Sequence, residues 1–389
     1  MSSVVTPPAR SRSAWKWVTF ADVGKVVTGN TPPTADTENY GDAIPFVKPT
    51  ELVDRGIRSA PSGLAPQAMG KARVVPAGAV LVSCIGNLGK TGIAQVPVAF
   101  NQQINAVVFN ENVIPEFGFY YAQTLKPWLY GESSATTIPI VNKGKFQQAR
   151  FPLAPLDEQR EIVAELEKQF SRLDEAVANL QRVKANLKRY ERATIASLTN
   201  PESFEACVSG TIGDIAISLD NMRKPVNKLE RAKRPGNIPY LGANGQTGWI
   251  DVPLFDEELV LVVEDETFVG RTDPFCYYFA EPCWVNNHTH VLRARSEVVS
   301  VKYLNLALSY YPFIPLTTGS TGRRKLTKAA LMTAPISVPS SRKQAEVVDE
   351  VERCLSISRE VEAEVDTDLK RAQALRQSVL SSCFQSKES

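Results

Sequence analysis

The strongest constraint on this chain is that it repeats itself. Pro155-Leu-Asp-Glu-Gln159-Arg-Glu-Ile-Val163 is answered by Pro339-Ser-Ser-Arg-Lys-Gln344-Ala-Glu-Val-Val348, which sets Gln344 185 positions after Gln159 in a chain of 389 residues. The same offset lays 187–198 onto 372–383, placing Ile195 on Leu380 and Ser197 on Ser382. Upstream the likeness is looser: Ala43-Ile-Pro-Phe-Val47 matches Asn237-Ile-Pro-Tyr-Leu241, and Ala79-Val-Leu-Val82 matches Leu259-Val-Leu-Val262. A period of half the chain means one folding unit built twice. Each copy is a variable globular part followed by a better-matched tail.

The tails read as long helices, because 157–198 and 342–384 contain no proline or glycine. In the first, Ile162, Leu166, Phe170, Leu173, Val177, Leu180, Leu187, Thr194 and Leu198 keep 3/4 spacing. The offset turns them into Val347, Val351, Leu355, Ser358, Glu362, Val365, Ala372, Val379 and Cys383, with Leu369 beside this weaker stripe. Such a seam predicts an antiparallel coiled coil of the two tails. Ordinary amphipathic helices that only join the globular parts are the alternative. The globular parts alternate short apolar runs with turns: 74–82, 106–109 and 259–263 read as strands, 117–129 and 301–311 as helices. The expected class is α+β. Its parts are a disordered tail (1–14), a β-rich head (15–156), a helix (157–199), a second head (204–340) and a second helix (341–386).

Net charge does not by itself point to a partner, since 44 Lys and Arg face 42 Asp and Glu. No run of 18 apolar residues is present and Met1 to Arg12 has no apolar core, so neither a membrane span nor a secretory leader is expected, and the cytoplasm is the expected compartment. The six cysteines form no CxxC pair and read as free thiols.

Catalytic patterns mostly fail. His288 and His290 alternate on a strand and face opposite sides. With Cys276 and Cys283 they match no common zinc spacing, so no metal is expected. Gly86-Asn-Leu-Gly-Lys90-Thr91 lacks the spacing of a phosphate loop and reads as a tight turn between strands. Gly29-Asn-Thr-Pro-Pro33-Thr has the wrong residues on both sides of its prolines for an amino-methyltransferase. Asp251, Asp256, Glu257, Glu258, Glu264, Asp265 and Glu266 form no nuclease pattern.

Polar and basic clusters suit nucleic acid better, because Asn and Gln match adenine edges, Arg matches guanine, and Lys neutralises phosphate. The first head offers Lys48, Asn87, Lys90, Asn101, Gln102, Gln103, Asn105, Asn142, Lys143, Lys145 and Arg150. The second offers Asn244, Arg271, Asn286, Asn287, His288, His290, Arg323, Arg324, Lys325 and Lys328. Of these, 319–325 is the sharpest signal, three cations following small residues. The six Lys and Arg of 223–234 read as a mobile loop that orders on DNA.

Taken with the repeat, Pro152-Leu-Ala-Pro-Leu-Asp-Glu-Gln159, Gly29-Asn-Thr-Pro-Pro33 and Leu375-Arg-Gln-Ser-Val-Leu-Ser-Ser-Cys-Phe384 resemble the DNA-specificity subunits of type I restriction-modification systems over almost the whole chain. The resemblance implies two target-recognition domains, each reading half of a split double-stranded DNA site, on two helices that dock two methyltransferase subunits. A restriction/translocase subunit completes the enzyme. S-adenosylmethionine, Mg and ATP are then expected on partner subunits, none on this chain. A helix of this length extends roughly 60 Å at about 1.5 Å per residue, so the helices could act as a ruler for the unread spacer. The second copy departs from the pattern at Pro339-Ser-Ser-Arg-Lys-Gln344, Ser358 and Glu362. A stand-alone enzyme with diverged motifs and a coiled-coil scaffold or anti-restriction decoy are the alternatives.

Overall fold

A computed structural model describes residues 15–134, 137–266, 268, 270–319 and 324–384. The expected tail 1–14, Arg323 and the last residues of the second helix lie outside that set. Contacts divide the chain into two compact units. One is Met1–Asn179 with Asp368–Ser389, the other Leu180–Thr367.

Along the first unit run β1 (Lys16–Thr19), α1 (Phe20–Val23), β2 (Gly24–Thr28), β3 (Tyr40–Val47), β4 (Arg55–Ile57), β5 (Gly63–Leu64), β6 (Val74–Val75), β7 (Val80–Ser83), β8 (Thr91–Ala94), β9 (Val98–Phe100) and β10 (Ile104–Phe109). They continue with α2 (Pro115–Ala122), α3 (Lys126–Glu132), α4 (Lys143–Gln147), β11 (Arg150–Leu153) and the long α5 (Leu156–Leu198). The sheets have orders β2-β10-β7-β8-β4 and β5-β3-β9-β6, with β1 and β11 as a separate ribbon. In β7 all four residues are buried, as a central strand covered on both faces requires. The turn after it needs Gly86 and Gly89 at φ of 77° and 79°, where a Cβ would be strained. The single helix expected over 117–129 is two, because Pro127 has no N–H to continue a ladder and sits in the first turn of α3.

The second unit rebuilds the same plan with β12 (Cys207–Thr211), α6 (Ile212–Ile215), β13 (Ala216–Ser218), α7 (Lys228–Ala232), β14 (Ile238–Gly242), β15 (Gly245–Ile250), β16 (Leu259–Val263), β17 (Asp265–Glu266), β18 (Cys276–Phe279), β19 (Trp284–Val285) and β20 (Thr289–Ala294). After these come α8 (Val301–Ser309), β21 (Arg324–Lys325), α9 (Lys328–Thr333), β22 (Pro335–Pro339) and α10 (Ser341–Phe384). Its sheets are β13-β20-β16-β18, β15-β14-β19, β12-β22 and β17-β21. The strands that match in sequence also match in space. β3 runs parallel to β9 through Phe46 and Val47, and β14 runs parallel to β19 through Tyr240 and Leu241. Both heads also open alike: the Asp22 carboxylate accepts from the backbone N and hydroxyl of Thr19, and Asp214 does the same for Thr211, every distance 2.7 Å.

Each long helix gives one part to each unit, and its apolar stripe is absorbed into that unit's core. In the first, Leu166, Phe170, Val379, Leu380, Cys383 and Phe384 are buried with head residues, Phe384 lying 5.2 Å from the Phe117 ring and 5.4 Å from Tyr121. Ile162, Leu173, Val177 and Leu369 are half-buried, and Arg376 lies 4.1 Å over Phe170 while pairing with Asp174 at 2.9 Å. In the second, Ile195, Val347, Val348 and Val351 join Tyr303 and Leu304, Val365 is buried, and Leu180, Leu187 and Leu355 are half-buried. The two polar departures in the second stripe are contacts, not gaps. Ser358 donates to Glu191 (2.6 Å), and Lys184 bridges Glu362 (3.3 Å) and Asp366 (2.8 Å). In this unit partners descend along α10 as they ascend along α5, the antiparallel order.

One buried side chain fixes each helix to its head. Gln159 accepts from Ile114 N (2.8 Å) and donates to Asn112 O (2.9 Å) and Ala154 O (2.8 Å). Gln344 accepts from Ser300 N and donates to Val298 O and Pro339 O, each at 2.9 Å. Both are almost fully buried, and each amide satisfies three backbone groups at the point where strand becomes helix. No helix among the described residues is long and apolar enough to cross a membrane.

Candidate nucleic-acid interface

Strand register makes the two heads comparable residue by residue. Asn105 on β10 faces Val82 on β7 and Thr28 on β2. His290 on β20 faces Val262 on β16, and Leu219 N donates to Val291 O, which puts Asp220 where Thr28 sits. In the first head Thr28 Oγ1 donates to Asn105 Oδ1 at 2.6 Å; in the second, Asp220 Oδ2 meets His290 Nδ1 at 2.6 Å. Glu264 likewise takes the place of Cys84. Cys84 N donates to Gln103 O and its carbonyl accepts from Val141 N, while Glu264 N donates to His288 O and its carbonyl accepts from Leu326 N.

The second head therefore encloses a charged cluster where the first has neutral groups. His290 Nε2 donates to Leu326 O at 2.8 Å while Nδ1 faces a carboxylate. Both ring nitrogens are thereby engaged in hydrogen bonds. Arg223 binds Glu264, Asp220 (3.4 Å) and Thr289 O (2.7 Å), and Lys325 Nζ reaches Glu264 at 2.9 Å. Burial pushes the Asp220 carboxyl upward, but the His290 hydrogen bond and charge, Val291 N and Arg223 outweigh it, leaving it below its ordinary value. Glu264 follows the same balance, burial opposed by Arg223 and Lys325. Asp220, Glu264 and His290 bring ligand-type atoms within 4.8 Å of one another, yet Arg223 and Lys325 already pair with the carboxylates and both His290 nitrogens are taken up by hydrogen bonds. Cys276, by contrast, bonds Asn305 and Ser309.

Several sequence candidates prove to be interior. Asn105 and His290 lie in the pairs just described, and Asn101 is buried and shapes a turn by bonding Gln103 N (3.1 Å) and Oε1 (3.0 Å). These are corrections: strand pairing turns the side chains of Asn105 and His290 inward, and Asn101 is spent on its own turn. Others hold local structure. Asn142 caps α4, Lys145 bonds Glu132 O (2.8 Å), and Arg150 lies 4.8 Å over Trp17. Asn286 accepts from His288 N (2.9 Å), Arg271 donates to Pro274 O, and Asn244 precedes Gly245 (φ 103°) in the β14–β15 turn. Lys48, Asn87, Gln102, Lys143, Asn244, Asn287, His288, Lys325 and Lys328 are exposed; Lys90, Gln103, Arg271, Asn286 and Arg324 are half-buried. Gln102 accepts from Thr31 (2.7 Å), His288 pairs with Asp265 (2.6 Å), and Arg324 Nε has no partner among the described residues.

The basic stretch 223–234 is not a loop but is built around α7, capped by Asn227. Arg231 stacks 4.2 Å over Tyr240, and Arg234 lies 4.8 Å over Trp284 while pairing with Asp251 at 2.8 Å. Lys224, Lys228 and Lys233 are left exposed, with Leu229 80% accessible among them. The signal missed was Asn227 followed three residues later by Glu230, a helix-start pattern. Burial pushes the thiols of Cys84, Cys276 and Cys283 up to about 12, so none is a thiolate nucleophile at neutral pH.

Known proteins are similar to this chain. The putative type I restriction enzyme specificity subunit S.HindORF215P of Haemophilus influenzae is 34% identical over 137 residues, 35% of this chain; the match spans about a third of that protein. The EcoBI specificity subunit of Escherichia coli is 21% identical across 95% of this chain and 85% of its own. A chain from a structure concerned with complex assembly and conformational transition of the type I R-M system superposes with a TM-score of 0.71. It covers 97% of this chain and 99% of that one at 18% identity, a likeness of fold. The profile of the type I restriction modification DNA specificity domain matches twice, at 12–188 and 205–367, once per head, and the chain belongs to that family.

Proposed function

We propose that this specificity subunit reads a split double-stranded DNA site, one half with each head, and carries no catalytic centre of its own. In this reading it recruits two methyltransferase subunits, and through them a restriction/translocase subunit, for adenine methylation or restriction. The observation that carries it is the duplicated frame with unlike polar sets: one scaffold built twice, with Thr28, Cys84 and Asn105 in one copy and Asp220, Glu264 and His290 in the other. Two readers on one framework, differing in side chains, suit a site whose halves differ in sequence. Protonated thiols and a charge-compensated carboxylate cluster support the non-catalytic assignment. S-adenosylmethionine, Mg and ATP then belong to the partners. The helices would supercoil as a coiled coil and supply the docking surface. Linking the heads makes the second contact intramolecular, so each head alone binds weakly.

The test is to express the chain with its methyltransferase partner and sequence the host DNA for modified adenine. A split, asymmetric motif is the expected outcome; an unsplit motif, or methylation by the purified chain alone, would overturn the reading. Replacing Arg323 and Arg324 by Ala should weaken recognition of one half of that motif more than the other.

A further inference from the structure

We propose that Asp220, Arg223, Glu264 and His290 are positioning residues of the second head: they lock β21 against the paired ends of β16 and β20 and so fix recognition of one half-site without meeting DNA. This rests on the DNA-reading function above and deepens it. β21 has two residues; it pairs with the two residues of β17 and, through Lys325, with Thr318 by two backbone bonds of 2.7 and 2.9 Å, and a ribbon that short is marginal in water. Three further bonds hold it. Leu326 N donates to Glu264 O (2.8 Å), His290 Nε2 donates to Leu326 O (2.8 Å), and Lys325 Nζ binds Glu264 Oε1 (2.9 Å). His290 and Glu264 are held in turn by Asp220 and Arg223, which are anchored to Val291 N (2.9 Å) and Thr289 O (2.7 Å) of β20.

The side chains of His290, Asp220 and Glu264 are only 1%, 6% and 7% exposed, too deep to touch a phosphate or base edge. Lys325 is 55% exposed; its ammonium ties the strand to the cluster, which changes its role from the phosphate contact that composition suggests. The first head shows what the bare frame does. Val141 N still donates to Cys84 O at 2.9 Å, but Thr28 and Asn105 bond each other within their own sheet, and Ile140 stands where Lys325 does. A charged latch replacing an apolar one, at the strand that carries Arg324 and Lys325, marks the segment whose placement the second head must control.

The experiment uses the full chain assembled with its methyltransferase, and competitor duplexes altered in one half-site at a time. His290→Ala should cut discrimination at the second half-site about tenfold, roughly one base pair's worth of readout, while the first half-site stays at its wild-type value. Asp220→Asn should stay near wild type, because an amide can donate to Nδ1 while Nε2–H still reaches Leu326 O. Lys325→Met, at a side chain 55% exposed, should reduce second-half discrimination with an unchanged salt dependence. A phosphate contact would instead weaken all sequences alike and lower the salt slope by about 1; that result, or wild-type discrimination in His290→Ala, or equal loss at both half-sites, overturns the proposal. A wild-type complex that reads no second half-site overturns the DNA-reading function and this inference with it.

Discussion

Where the first head pairs a threonine with an asparagine beside a cysteine, the second pairs an aspartate with a histidine beside a glutamate. Strand order, helix positions and backbone bonds around them are kept: Cys84 and Glu264 make the same two main-chain bonds, and Asn142 and Thr327 cap corresponding helices. Backbone pairing and apolar burial therefore specify the frame, and the polar groups inside it can be exchanged provided each set satisfies itself. A neutral pair does this with one hydrogen bond. The charged set needs five side chains, because any carboxylate buried alone would be costly.

The sharpest way to break this likeness is through the part that is identical. Gln159→Leu and Gln344→Leu each remove three bonds and leave one backbone N–H and two carbonyls without partners. At about 1 kcal/mol or more for each group left unmet, either change should cost about 3 kcal/mol. Urea unfolding followed by peptide-resolved hydrogen exchange checks it: protection should fall in 15–155 for Gln159→Leu and in 204–340 for Gln344→Leu, by similar amounts. A large effect in one head and none in the other would mean the frame is not energetically twofold.

The repeat, the long helices and most of the stripe were legible because they rest on local rules: a fixed offset, freedom from Pro and Gly, and 3/4 spacing. The glutamines were visible only as matching letters, although an amide kept at the foot of two helices could have been read as a backbone anchor. The cluster was not legible. Its members are 70 residues apart for Asp220 and His290 and 41 for Arg223 and Glu264, and only strand register brings them together. Asn101 and Asn105 misled for the opposite reason: composition speaks for the surface, but pairing in β10 turned Asn105 inward.

Acid should separate the heads where the glutamines do not. Asp220 and Glu264 lie below their ordinary values in the folded chain, so the stability they lend is complete above about pH 5 and is lost as pH falls through the lowered values. The first head has no charge at the matching place, and the exposed capping aspartates Asp22 and Asp214 are common to both heads. Between pH 5 and pH 3 the second head should therefore lose on the order of 1 kcal/mol more than the first. Hydrogen exchange at the two pH values, after correction for intrinsic rates, reads this directly; equal loss in both heads would show that the cluster contributes no pH-dependent stability.

The smallest expected effect concerns the surface. After β13 the second head carries α7 with Lys228 and Lys233 exposed, whereas the segment after β2 in the first carries Asp36 and Glu38, Asp36 held by Lys71 at 2.9 Å. The grip on phosphate through this segment should thus be one-sided. Lys228→Ala with Lys233→Ala should lower the slope of log affinity against log salt by about 2, weaken all sequences equally, and leave half-site discrimination intact. Arg231→Ala should do the reverse. Its guanidinium is stacked on Tyr240, so its loss unseats α7 and alters discrimination with little change in slope. If the lysines change discrimination and the arginine changes the slope, the roles of stacked and exposed cations are the other way round, and the charge difference between the two heads would lie in base readout instead of backbone grip.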